Sequence, residues 1–336
     1  MSCCCALIRR LAASIGALAL VLGLAGCARD GPMTTLIARS DLARSILHLY
    51  GIITWVALAI ALIVGAVLVW VLVRYRGGDA TLPPQTRGHT ALEIGWTIAP
   101  ALLLLVITIP TLHVIFRTQA APPAQALEVT VLGRQWWWEF RYPTLGITTA
   151  NELHLPAGRP AALRLEGPDV IHSFWVPQLG GKRDVVPGRR NQLAFTPEIA
   201  GEYWGQCAEF CGVSHANMRM RVIVDAPEAF ERWVAAQRVT PPEPSGRAAE
   251  GKAIFTSRAC VGCHAIRGVS AGVLGPDLTT FGSRRTLAAG LVPNTPANVA
   301  AWVKDPGALK PGVKMPVLGL TDDQAKAVAA YLESLK

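Results

Sequence analysis

The twelve positions from Cys207 to Met218, CAEFCGVSHANM, contain Cys207, Cys211, His215 and Met218. Thiolate, imidazole and thioether donors suit copper, whereas magnesium and calcium prefer hard oxygen ligands. A one-copper site normally uses a single thiolate, so the second cysteine is the informative residue. Two sulfurs can bridge two coppers, and such a pair needs a second imidazole. His172, in PDVIHSFWVP 35 residues before Cys207, is the candidate. A Cys207–Cys211 disulfide or a zinc site would also use the cysteines. Neither accounts for Met218 or for the distant His172.

A second chemical motif lies nearer the C-terminus. Cys260-Val-Gly-Cys263-His264 is a c-type haem attachment sequence, in which two thioethers anchor the porphyrin and the histidine ligates iron. Met315, in GVKMP, is the only methionine after it and is the natural sixth ligand. The final segment, LTDDQAKAVAAYLESL, reads as an amphipathic helix with Thr321 as its cap. Tyr331 on that helix is placed to pack against an earlier helix near Gly251. Zinc is a poor occupant here, because no histidine follows His264.

The pair HSFWVP and CAEFCGVSHANM resembles the dinuclear copper A domain of cytochrome c oxidase subunit II. The resemblance places the copper ligands on His172, Cys207, Cys211, His215, Met218 and the backbone carbonyl of Glu209. It also implies that the Glu209 carboxylate helps bind a magnesium shared with subunit I, with Asp184 and Arg189 near that interface. Gly251 and Phe255 precede the haem motif at the spacing of small, class I cytochromes c. Taken together, the chain resembles subunit II of a caa3-type haem-copper oxidase, with a cytochrome c domain fused at its C-terminus. The family implies subunits I and III as partners and an external electron donor, either cytochrome c or a quinol-oxidising complex. It also implies reduction of oxygen to water in subunit I with proton pumping.

Several elements must position these residues. From residue 125 to 235 the pattern is of short β-rich stretches separated by Pro and Gly, among them LEVTVLGRQWWWEF, NELHLPAG, AALRLEG and MRMRVIVDA. This predicts an all-β Greek-key sandwich of antiparallel strands, which the resemblance makes cupredoxin-like, with the copper ligands on loops at one end. Alternation along a strand puts Trp136 and Trp138 on one face and Trp137 on the other. The resemblance makes Trp136 the residue through which electrons arrive. The Pro-rich stretch 236–246 predicts a semi-extended linker, and 247–336 an all-α cytochrome c domain.

Before the sandwich come two uncharged runs, Leu49 to Val73 (25 residues) and Ile94 to Phe116 (23 residues). At 1.5 Å per residue each can span a bilayer, predicting a hairpin of transmembrane helices at 49–73 and 93–117. Arg74, Arg76 and Arg87 mark the connection, residues 74–92, as cytoplasmic. Segment 27–48 and both redox domains then lie on the periplasmic, outer side of a bacterial plasma membrane. Glu93 opens the second span. An acid there is favoured by the helix dipole, and by family resemblance it stands at the mouth of a proton-uptake channel. Residues 1–26 read as a lipoprotein signal, with Arg9 and Arg10 before an apolar stretch and a lipobox-like Leu-Ala-Gly ending at Cys27. Cys27 would be the lipidated residue.

Bulk composition agrees with a membrane protein carrying soluble parts. Of 336 residues, 51% are hydrophobic and 16% charged, with a net charge of +9. No basic cluster with interleaved aromatics points to nucleic acid. Residues 125–235 carry 11 basic and 12 acidic side chains, and 247–336 carry 11 and 6. A copper domain that captures a diffusing basic partner benefits from a strong negative field. A tethered haem has a high effective concentration and needs none. No nucleophile–base pair or phosphate loop is evident. A nitrous-oxide reductase-type enzyme shares the copper motif but needs a histidine-rich second domain, which seven histidines cannot supply. A membrane-anchored electron carrier or copper-handling protein outside any oxidase is the other reading. Glu93 and the two spans argue against it. Quinol-oxidising relatives lack the copper ligands.

Overall fold

A computed structural model describes residues 31–76 and 87–336. The lipobox-like segment with Cys27 lies outside the described residues. Helix α1 runs from Asp41 to Arg74 and α2 from Thr90 to Gln119. Ser40 caps α1 by accepting from the Ala43 amide, and Asp41 and Arg74 lie at the ends where the helix dipole favours their charges. Both helices are long and apolar enough to cross a membrane, and no residue in their most apolar windows is buried. Such faces are stable only in lipid or against another protein.

The first helix begins at Asp41, eight residues before the apolar run. Its first turn belongs to the sandwich below it. Ser40 Oγ donates to the Leu179 carbonyl (2.6 Å), and Asp41 Oδ1 accepts from the Thr196 amide (2.7 Å). Leu42 joins the sandwich core, with Ile46 packed against it. Span and soluble domain are therefore one packed unit at this junction.

Ten strands form two five-stranded sheets. They are β1 (Leu127–Arg134), β2 (Trp137–Tyr142), β3 (Ile147–Ala150), β4 (Glu152–Pro156) and β5 (Ala161–Glu166). The second half supplies β6 (His172–Trp175), β7 (Arg183–Val185), β8 (Asn191–Phe195), β9 (Gly201–Cys207) and β10 (Arg219–Asp225). The sheet orders are β3-β2-β1-β5-β8 and β4-β10-β9-β6-β7. The sheets are not purely antiparallel as expected: β1 pairs parallel with β5, and β4 with β10. Parallel pairing needs a long crossover, and in both pairs other strands lie between the partners in sequence. The stretch LEVTVLGRQWWWEF is not one strand. It folds at Gln135–Trp136 into the β1–β2 hairpin.

Helix α3 (Pro227–Arg238) closes the sandwich by burying Phe230 and Val234. Trp233 stacks on His154 at 4.4 Å between ring centres. The stretch expected to link the domains thus begins inside α3. Its end is pinned: Thr280 Oγ1 donates to Gln237 Oε1 (2.8 Å), and Arg267 donates to the carbonyls of Gln237 and Val239.

The last domain is built from α4 (Gly246–Ser257), α5 (Cys260–Cys263), α6 (Pro296–Lys304), α7 (Pro306–Leu309) and α8 (Asp322–Ser334). Thr321 and Gln324 form a full capping box at the start of α8. Helices α4 and α8 cross at Gly251, where an added Cβ would lie 2.0 Å from the Ala327 carbonyl oxygen. Only glycine lets the two backbones approach this closely. Phe255 and Tyr331 meet edge to face at the same crossing, with ring centres 5.7 Å apart.

Candidate metal and haem centres

Strand β6 opens at His172 and β9 ends at Cys207, and these two strands are paired, with Phe174 opposite Cys207. His172 is therefore held on a strand rather than on a loop. The segment after β9 returns through a short 3-10 turn, His215–Asn217, to Met218. The Met218 carbonyl accepts from the Cys207 amide, which closes the ligand segment on itself.

Cys207 Sγ lies 3.8 Å from Cys211 Sγ, 3.9 Å from His172 Nδ1 and 3.2 Å from the Glu209 carbonyl oxygen. Cys211 Sγ lies 3.5 Å from His215 Nδ1 and 3.9 Å from Met218 Sδ. The two cysteines are free thiols, not a disulfide. His172, Cys207 and Cys211 form a buried group able to hold a metal ion. One histidine stands beside each sulfur, with the thioether on one side and a carbonyl on the other. That distribution suits two soft metal ions sharing the sulfur pair.

Electrostatics favour a cation. The hydrogen bond between the two sulfurs holds Cys207 far below the ordinary thiol range and, together with burial, pushes Cys211 up. Burial opposes protonation of His172, but hydrogen bonds with Asp169 and Cys207 outweigh it and raise its pKa. Burial likewise works against the Asp169 charge, and bonds from His172 and the Gln135 and Val170 amides reverse it, so its pKa falls.

Asp169 was not singled out by sequence, although its place three residues before His172 was a signal. Gln135 was missed as well. Its side-chain amide and the Trp136 indole both donate to the Cys211 carbonyl, at 2.8 and 2.9 Å. Trp136 does not share a strand face with Trp138, because it sits in the turn before β2. Trp138 is fully buried beside His172 and Phe174, as core packing.

In the last domain, Cys260 and Cys263 are half-buried at the two ends of α5. His264 Nδ1 lies 2.9 Å from the Pro276 carbonyl. A carbonyl can only accept, so Nδ1 carries the proton and Nε2 presents its lone pair. Burial lowers the His264 pKa, which favours the neutral, ligating ring. Met315 is half-buried against the domain core. The donor set thus fits a covalently attached haem. Elsewhere, Glu93 lies in the exposed first turn of α2, and Glu209, Asp184 and Arg189 are exposed on the sandwich.

Family profiles match three consecutive parts of the chain: the cytochrome c oxidase subunit II transmembrane domain over 33–114, its periplasmic domain over 144–226, and cytochrome c over 248–336. The chain is 35% identical over 326 residues to cytochrome c oxidase subunit 2 of Alkalihalophilus pseudofirmus, covering 94% of this chain and 95% of that one. The chain belongs to the cytochrome c oxidase subunit 2 family. The corresponding subunit of Bacillus subtilis is 35% identical over 291 residues, covering 80% and 82% of the two chains. A quinol oxidase subunit 2 of Bacillus cereus is 31% identical over 241 residues, covering 69% and 81%. Among solved structures, the periplasmic domain of cytochrome oxidase subunit II from Bradyrhizobium japonicum is 30% identical over 34% of this chain and 96% of its own, with a TM-score of 0.34. As a subunit 2 with a cytochrome c domain, the protein combines units that imply copper A and haem c. Subunit I, where catalysis lies, is the implied partner.

Proposed function

We propose that this chain is the electron-accepting subunit of a c-haem-fused terminal oxidase. Electrons from an external donor, a cytochrome c or a quinol-oxidising complex, reach the C-terminal domain, pass to the sandwich, and leave for subunit I. Oxygen is reduced to water there with proton pumping, and subunit III completes the complex. When bound, haem c and the copper pair each supply a one-electron couple. Cys260 and Cys263 would hold the haem through thioethers, and His264 and Met315 would supply its iron ligands. His172, Cys207, Cys211, His215, Met218 and the Glu209 carbonyl would hold copper A.

The observation that carries this reading is the place of Trp136. Its indole N–H donates to the carbonyl of Cys211. Its ring packs on Gly312, three residues before Met315; a Cβ there would lie 3.2 Å from Trp136 Cη2. Trp136 thus touches a copper-ligand residue on one side and the methionine-bearing loop on the other, and only 7% of it is exposed. A diffusing cytochrome could not reach it without displacing the fused domain. Tethering therefore replaces electrostatic steering.

Orientation follows from the positive-inside rule, with both redox domains on the periplasmic side of a bacterial plasma membrane. Cys27 is proposed as the lipid-bearing residue, Glu93 as the start of a proton-uptake path, and the exposed Glu209 carboxylate as a magnesium ligand shared with subunit I.

Truncation at Pro241 tests the relay. The shortened subunit, assembled with subunit I, is expected to lose turnover with the physiological donor while keeping the copper signal. Full turnover after truncation would overturn it.

A further inference from the structure

The two redox domains meet through charged and polar groups as well as through the packing of Trp136 and Val213 on Gly312. Glu152 of β4 is 3% exposed, and its carboxylate accepts from the amides of Arg285 and Thr286 at 2.8 and 3.0 Å. Glu202 of β9 pairs with Arg221 of its own sheet and with Arg285 across the boundary. The Arg219 amide donates to the Ala289 carbonyl, and Ser214 Oγ to the Pro311 carbonyl. These contacts define one docked arrangement.

Lys310 differs from the rest. It lies directly after α7, on the loop that leads to Met315, and is 2% exposed. Its Nζ donates to the Trp136 carbonyl at 2.5 Å and to the Ala288 carbonyl at 3.0 Å. No carboxylate pairs with it among the described residues. A lysine is seldom buried without an acid partner, because desolvating the ammonium is costly. A residue placed only for stability would be replaced at little loss by an apolar side chain of similar length.

We propose that Lys310 is a positioning residue for electron transfer between the domains, fixing the Trp136 backbone so that its indole stays between Gly312 and the Cys211 carbonyl. One donor reaches both domains at once: Trp136 belongs to the sandwich and Ala288 to the haem domain. Among the described residues the indole's one polar contact is the Cys211 carbonyl. Without Lys310 the 135–136 turn keeps its Gln135 anchors on Asp169 and the Cys211 carbonyl, but nothing holds the Trp136 carbonyl towards the Gly312 loop. The proposal rests on the relay reading above.

The test uses the complete oxidase with Lys310→Met, which keeps length and removes the donors. Two quantities are read: the rate of haem-to-copper electron equilibration after flash reduction, and deuterium exchange in the segments around Trp136 and Gly312. The expected result is a haem-to-copper rate several-fold lower, because electron tunnelling weakens exponentially as the Trp136–Gly312 gap opens. Faster exchange at both segments should accompany it, with unaltered haem and copper spectra. Glu152→Gln serves as the control, because it loosens the same interface away from Trp136. If both variants slow transfer equally for the same fall in melting temperature, Lys310 only contributes to docking and the positioning role is wrong. An undiminished rate in Lys310→Met overturns it as well. If the unmodified oxidase has no haem-to-copper step, the relay itself fails, a result distinct from either of these.

Discussion

Asp169 Oδ1 lies 2.9 Å from His172 Nε2, and this contact decides which imidazole nitrogen faces the sulfurs. The same carboxylate accepts from the Gln135 amide at 2.7 Å. One acid therefore orients the ring of a proposed copper ligand and holds the turn that carries Trp136. Acids behind ligating histidines commonly fix the ring and raise its basicity.

Asp169→Asn should weaken copper binding by about ten- to a hundredfold, the usual loss for such a supporting residue. Competition against a chelator, followed by the copper absorbance, measures this. Unchanged affinity would show that the strand pairing of β6 suffices to orient His172.

Burial pushes the Lys310 pKa from 10.5 down to about 7, against the attraction of Cys211. A base whose pKa is lower when folded costs stability wherever it would otherwise be charged. Its contribution is least unfavourable above 10.5 and worsens as pH falls towards about 7, below which it is constant. The melting temperature of the unmodified subunit, relative to Lys310→Met, should therefore rise from about pH 7.5 to about pH 9.5. A flat difference would mean that the lysine stays protonated throughout.

Gly251→Ala should damage the haem domain alone. The new Cβ meets the Ala327 carbonyl at 2.0 Å and Tyr331 Cβ at 2.9 Å, and backbone cannot yield as a side-chain tip can. A loss of about 1–3 kcal/mol or more is expected, seen as a lower thermal midpoint by the haem absorbance with the copper signal intact.

Glu93→Ala should slow proton uptake into the reduced enzyme without changing the copper spectrum. Stopped-flow measurement with a pH indicator tests it. Equal uptake in both proteins would leave Glu93 as a helix-terminal acid, the role its exposed place in the first turn of α2 already allows.

The amino-acid sequence by itself determined the chemistry and the order of the units. Donor type is a property of single residues, so Cys207, Cys211, His215 and Met218 point to a soft-metal site, and Cys260-Val-Gly-Cys263-His264 to a haem, before any fold is known. Hydropathy likewise reports solvent, so the two spans are legible from run length alone. Alternation reveals strands but not their partners. The parallel pairs β1–β5 and β4–β10, and the turn that takes Trp136 off its supposed face, were decided by long-range packing. The same holds for Lys310, which meets Trp136 across 174 residues. Whether a lysine is a solvated surface charge or a buried clamp depends on what two surfaces exclude when they meet, and no local pattern encodes that complementarity.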